Sequence, residues 1–177
     1  MQTGESYEER VARILAGLGI PASFGVDRNL PFYVEAEELV SVGADIHGRD
    51  RQLTPHAALQ WSELRAAAHQ DGIGLLLVSA FRSVDYQRQI FERKLAAGES
   101  VEQILRVNAP PGYSEHHTGR AVDVTTPGCP PLEEEFETSP AFDWLVRHAH
   151  RFGFVMTYPR DNRYGIAYEP WHWAVQE

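Results

Sequence analysis

The chain has a single cysteine, Cys129, in 177 residues, so no internal disulfide framework holds it together. Cys129 lies in Pro127-Gly128-Cys129-Pro130-Pro131, a loop composition, and reads as incidental rather than as a thiol nucleophile. Basic residues are scarce: 16 Lys and Arg stand against 25 Asp and Glu, a formal net charge of −9. That excludes nucleic acid as the main partner, because phosphate binding needs clustered Lys and Arg. No apolar run is long enough to span a membrane. Internal repeats, low-complexity tracts and long linkers are also missing. Met1 to Arg10 is polar and acidic, without the basic start and apolar stretch of a secretory signal. The expectation is a cytoplasmic protein, or one of the cell envelope if a leader is removed or export takes another route.

A packed core has to supply the stability that crosslinks do not. With 43% hydrophobic and 23% charged residues, the chain has the composition of an ordered globular protein. Its length fits one domain, 1–177, expected as a monomer. Within it, 1–53 reads as an N-terminal helix with a loop-rich extension, and 54–177 as the core.

Residues 6–18 form an amphipathic helix with Val11, Ile14, Leu15 and Leu18 on one face. Residues 19–53 read as loop, with Pro31-Phe32-Tyr33-Val34 a weak strand. Thr54-Pro55 is a helix start, with Thr as N-cap and Pro at the first position. That helix runs to about His69, with a stripe of Ala58, Leu59, Trp61, Leu64 and Ala68. Gly74 to Ala80 reads as a buried strand. Ser83 caps a helix from Val84 to about Ala97, with Tyr86, Ile90, Phe91 and Leu95 on its apolar face. Ser100 caps a shorter one. Arg120 to Thr125 alternates as a strand, with Ala121 and Asp123 on one face and Val122 and Val124 on the other. Ser139-Pro140 opens a last helix to about Phe152, and 154–158 and 171–175 read as strands. The fold class expected is α+β, a small and largely antiparallel sheet with helices packed on one side.

Two segments carry chemistry: Ser114-Glu115-His116-His117-Thr118-Gly119-Arg120-Ala121-Val122-Asp123, and Glu169-Pro170-Trp171-His172-Trp173. An ionised carboxylate between two valines is costly unless paired or bound to a metal. Taken alone, Asp123 is more often a cap or the partner of an arginine than a ligand. Gly119 permits a turn that folds an imidazole back over the strand's aspartate. Two histidines and one carboxylate form a complete protein ligand set for a catalytic zinc, whose fourth position stays open for water. His172 is expected near one edge of the sheet. Spacing alone does not choose between His116 and His117 as ligand, nor between Glu115 and Glu169 as base.

The ordered pattern Ser114, His116, Gly119, Ala121, Asp123, followed by Glu169 and His172, resembles the M15 family of zinc peptidases. Ser79-Ala80-Phe81-Arg82-Ser83 is similar to that family's Ser-Gly-Tyr-Arg-Ser segment, with Tyr86-Gln87 just after it. The likeness covers roughly residues 54–177 and implies the hedgehog/DD-peptidase fold. It implies one zinc ion on His116, Asp123 and His172, with Glu169 as catalytic base. It implies that Arg82 stabilises the oxyanion or holds the substrate, and that Ser114 and Gln87 lie near the substrate. The implied substrate is a peptidoglycan stem peptide or another peptide ending in D-Ala-D-Ala, cut by a D,D- or L,D-carboxypeptidase or dipeptidase. An endolysin-type endopeptidase and a catalytically silent zinc module are the alternatives. The chain departs from the family where Ala80 and Phe81 replace Gly and Tyr, and where Trp173-Ala174-Val175 replaces the usual Arg-Tyr after the last histidine.

Overall fold

The computed structural model describes residues 4–176. Helix α1 spans Tyr7–Gly17 and opens on a capping box, in which Ser6 and Glu9 satisfy each other's backbone N–H groups. A single helical turn, α2, follows at Phe24–Asp27. The expected strand at 31–34 is absent. Instead the stretch read as loop ends in an antiparallel hairpin, β1 (Val40–Ala44) and β2 (Asp50–Leu53). Asp45 holds its turn, accepting from the backbone N–H groups of His47 and Arg49 and from the Arg49 and Arg51 side chains. These bonds drop its carboxyl far below the usual range despite the opposing effect of burial.

Helix α3 (Pro55–Gln70) starts as expected, with the Thr54 side chain accepting from the Ala57 N–H. Its buried stripe is Ala57, Trp61, Leu64 and Ala68, whereas Leu59 is 56% exposed and leaves the predicted face. Strand β3 (Leu76–Ser79) leads to α4 (Val84–Ala96), then α5 (Val101–Val107), and β4 (Ala121–Thr125). The last predicted helix is α6 (Pro140–His148), extended by a 3₁₀ turn over Ala149–Phe152 and stopped by Gly153 at a φ of 74°. Strands β5 (Phe154–Met156) and β6 (His172–Val175) complete the chain, both shorter than predicted.

The main sheet runs β3-β4-β6-β5 with every neighbour antiparallel. Successive side chains of a strand point to opposite faces. Val122 and Val124 of β4, with Trp173 and Val175 of β6, therefore share one face, where they pack on Trp61 and Leu64 of α3 and Trp144 and Leu145 of α6. The other face receives Asp123 and His172, which sit directly opposite each other in the β4–β6 register. Strand β6 is an inner strand, so His172 lies away from the sheet edge where it was expected. Helices α1, α4 and α5 build a second apolar cluster around Val11, Ile14, Phe91 and Ile104. The Arg10 side chain ties α1 to Asp85 of α4, and Glu35 accepts from the Val84 N–H at the start of that helix.

Candidate metal centre

Three short backbone devices bring the site together. Arg82 directly precedes Ser83, whose hydroxyl caps α4 by accepting from the Tyr86 N–H at 3.1 Å. Residues Glu115–Thr118 form one 3₁₀ turn that ends at Gly119, with φ at 64°. That turn leads straight into β4, so His116 folds back over Asp123 as the spacing predicted. Glu169 precedes β6, and its carbonyl accepts from the His172 N–H at 3.1 Å.

One ligand atom each of His116, Asp123 and His172 lies within 4.8 Å of the others, and all three residues are buried. His116 Nε2 is 3.2 Å from the Asp123 carboxylate, and His172 Nδ1 is 3.0 Å from it. The remaining ring nitrogens are engaged by protein. His116 Nδ1 lies 2.6 Å from the Ala80 carbonyl oxygen, which can only accept, so that nitrogen carries the proton. His172 Nε2 lies 2.8 Å from Glu115 Oε2. Each imidazole thus turns its other nitrogen toward the same aspartate, and a donor set of two imidazole nitrogens and a carboxylate suits zinc. An acceptor behind each ligating histidine is the arrangement that fixes its tautomer and orientation.

Electrostatics follow from this packing. Burial and the nearby Arg82 charge push His116 down to about 4, so its imidazole is neutral. Burial also works against a charge on His172, but its bonds to Asp123 and Glu115 outweigh that and raise it to about 10. In the metal-free protein a proton therefore sits on the His172 nitrogen that faces Asp123. Asp123 stays well below the usual carboxylate range, the two histidines overcoming its burial. Glu115 is lowered for the same reason, through its bond to His172.

Glu169 Oε2 lies 3.9 Å from His172 Nδ1, and its side chain is 13% exposed. Burial raises its carboxyl to about 7. Arg82 reaches to 3.7 Å from Asp123, while its buried Nε has no hydrogen-bond partner. Gln87 is 1% exposed on α4, at a position where an apolar side chain is the norm. Its Nε2 donates to the Ala109 carbonyl at 2.8 Å, and its Oε1 has no partner. Arg82, Gln87, Ser114, His116, Glu169 and His172 all line one small cavity. Every predicted site residue is thus in one place.

The sequence reading missed two contributors. Tyr158 lies against the His172 ring at 4.8 Å between centroids, and Glu115 stands behind His172 as its acceptor. From spacing, Glu115 reads only as a candidate base. Its position next to His116 was visible, but its contact is with a residue 57 positions away.

Comparison with known proteins agrees with this geometry. The family model for VanY, D-alanyl-D-alanine carboxypeptidase, matches residues 50–176. The bifunctional D-Ala-D-Ala dipeptidase and carboxypeptidase VanXYC of Enterococcus gallinarum is 32% identical, covering 83% of this chain and 79% of that protein. The solved LdcB LD-carboxypeptidase superposes with a TM-score of 0.70 at 28% identity, covering 82% of this chain and 71% of that one. A vancomycin-resistance D,D-pentapeptidase VanY mutant in complex with Zn(II) gives a TM-score of 0.61 at 28% identity, covering 82% of each chain. Together with the sheet that sets Asp123 against His172, these matches establish that the chain belongs to the VanY D-alanyl-D-alanine carboxypeptidase family of M15 zinc peptidases.

Proposed function

We propose that the chain is one peptidase unit that removes D-alanine from peptidoglycan stem peptides, with zinc held by His116, Asp123 and His172. The observation that carries this reading is one small cavity in which an unpartnered donor, an unpartnered acceptor and a raised carboxyl surround the metal-binding group. Zinc, when bound, supplies Lewis acidity that lowers the pKa of water and polarises a carbonyl.

The protein groups have separate tasks. Among the described residues lining the cavity, Arg82 is the only permanent cation. Its free Nε–H donates to the scissile carbonyl oxygen or to the substrate's terminal carboxylate. Gln87 Oε1 accepts from a substrate N–H, and Ser114 lines the same wall. Glu169 takes the proton of the attacking water on Oε2 and hands it to the leaving nitrogen, a role suited to a carboxyl near neutrality. The oxyanion that develops lies within reach of Arg82, and removing one such donor typically costs about 10²–10³ in kcat.

Mass spectrometry of products from defined muropeptides, with zinc and after chelation, tests the reading. Release of single D-alanine that stops on chelation supports it. Release of the intact D-Ala-D-Ala dipeptide, cleavage inside the stem, or turnover that survives chelation overturns it.

A further inference from the structure

His117 is as buried as its neighbour His116, yet it is not among the residues gathered at the metal centre. Both its ring nitrogens are occupied. Nδ1 lies 2.6 Å from the Arg82 carbonyl oxygen, and Nε2 lies 3.0 Å from the Gly112 backbone nitrogen. A carbonyl only accepts and an amide N–H only donates, so a single neutral tautomer serves both. Nδ1–H donates to Arg82, and Nε2 accepts from Gly112.

These contacts fall on the two segments that carry side chains into the cavity. Arg82 begins one, and Gly112 lies two residues before Ser114 in the other. His116 makes the matching contact to Ala80, and the Arg82 N–H returns a bond to the His116 carbonyl at 3.2 Å. The histidine pair therefore holds the Ala80–Arg82 segment at alternate carbonyls, one imidazole serving the metal site and the other the arginine. The main chain of the same region extends the link: the Ala36 N–H donates to the His117 carbonyl and the Tyr33 N–H to the Gly112 carbonyl, each at 2.8 Å. Arg82 itself depends on this support, because its Nε is unpartnered and its guanidinium reaches Asp123 only at 3.7 Å.

We propose that His117 is a positioning residue that sets the Arg82 backbone, and with it the guanidinium, at a fixed distance from the metal centre. The proposal rests on the substrate role given above to Arg82. It also explains why two adjacent buried histidines are not alternatives for one ligand position: they perform different tasks in one turn.

Asparagine and glutamine separate the two bonds. An Asn amide nitrogen falls near Nδ1 and can donate to Arg82, whereas a Gln amide oxygen falls near Nε2 and can accept from Gly112. The test measures zinc content, KM and kcat on the muropeptide found by product mapping. Variants are His117→Ala, His117→Asn, His117→Gln, Arg82→Ala, and His117→Ala combined with Arg82→Ala. All His117 variants should keep one zinc per chain. His117→Ala should lose roughly 10²-fold in kcat, the scale of a 1 Å misplacement. Asn should restore most of it and Gln should not. In the Arg82→Ala background, His117→Ala should change kcat by less than about threefold, since coupled residues are not additive. Wild-type kcat in His117→Ala, an equal loss in both backgrounds, rescue by Gln alone, or loss of zinc would each overturn the proposal. If His117→Ala fails to fold, the Asn and Gln variants decide. Normal turnover in Arg82→Ala would instead overturn the underlying role of Arg82, and this proposal with it.

Discussion

A carboxylate that takes a proton from water must also give it up within the same cycle. Glu169 meets that condition because burial raises it to about 7 while leaving it beside the metal-facing nitrogen of His172. Glu169→Gln keeps the shape and removes the proposed base. The expected result is full zinc content with kcat lowered by about 10²–10⁴-fold, read by metal analysis and steady-state kinetics. Glu115 acts on a different quantity. It holds the outer nitrogen of His172. Glu115→Ala should weaken zinc binding by about 10–100-fold, the usual cost of losing a ligand's supporting partner. Glu115→Gln, which keeps an oxygen acceptor, should lose less. Competition with a chelator of known affinity measures both.

At the level of elements, the turn over Glu115–Thr118 governs how the ligands meet. Its terminal Gly119 has φ at 64°, and a Cβ there would stand 3.0 Å from Leu39 and 3.1 Å from Ala36 and Thr54. Gly119→Ala should therefore destabilise the fold by about 1–3 kcal/mol, seen as a lower urea midpoint, and should weaken zinc binding as His116 shifts. That glycine was legible in the sequence, as were the caps at Thr54, Ser83, Ser100 and Ser139, because each rests on chemistry confined to a few neighbouring residues. The β1–β2 hairpin was not legible. Its strands are only five and four residues long and largely exposed, the first is interrupted by a bulge between Ser41 and Gly43, and its turn is organised by the side chain of Asp45. Gln87 shows another case: in a stretch that also holds Asp85, Arg88 and Gln89 its burial was invisible, and only the family resemblance singled it out.

On the scale of the whole molecule, metal, proton and fold are linked. His116 is already neutral and Asp123 already ionised, so the proton to be displaced near neutrality belongs to His172. Because that proton is held up to about pH 10, zinc affinity should rise about tenfold for each pH unit across the neutral range. Calorimetry in buffers of different ionisation enthalpy should show its release. Zinc at 100 times its dissociation constant adds about 2.7 kcal/mol of stability. For a chain of this size that raises Tm by roughly 5–10 °C, and chelation should reverse it in a thermal melt. One further consequence lies in the register of the sheet. Asp123 and His172 are 49 residues apart in sequence and become neighbours only when β4 and β6 are paired in one alignment. A slip of a single residue turns one of them to the opposite face. A nascent or misfolded chain in which β4 and β6 are unpaired or out of register therefore has no assembled metal-binding set, and cannot carry zinc there before it is folded.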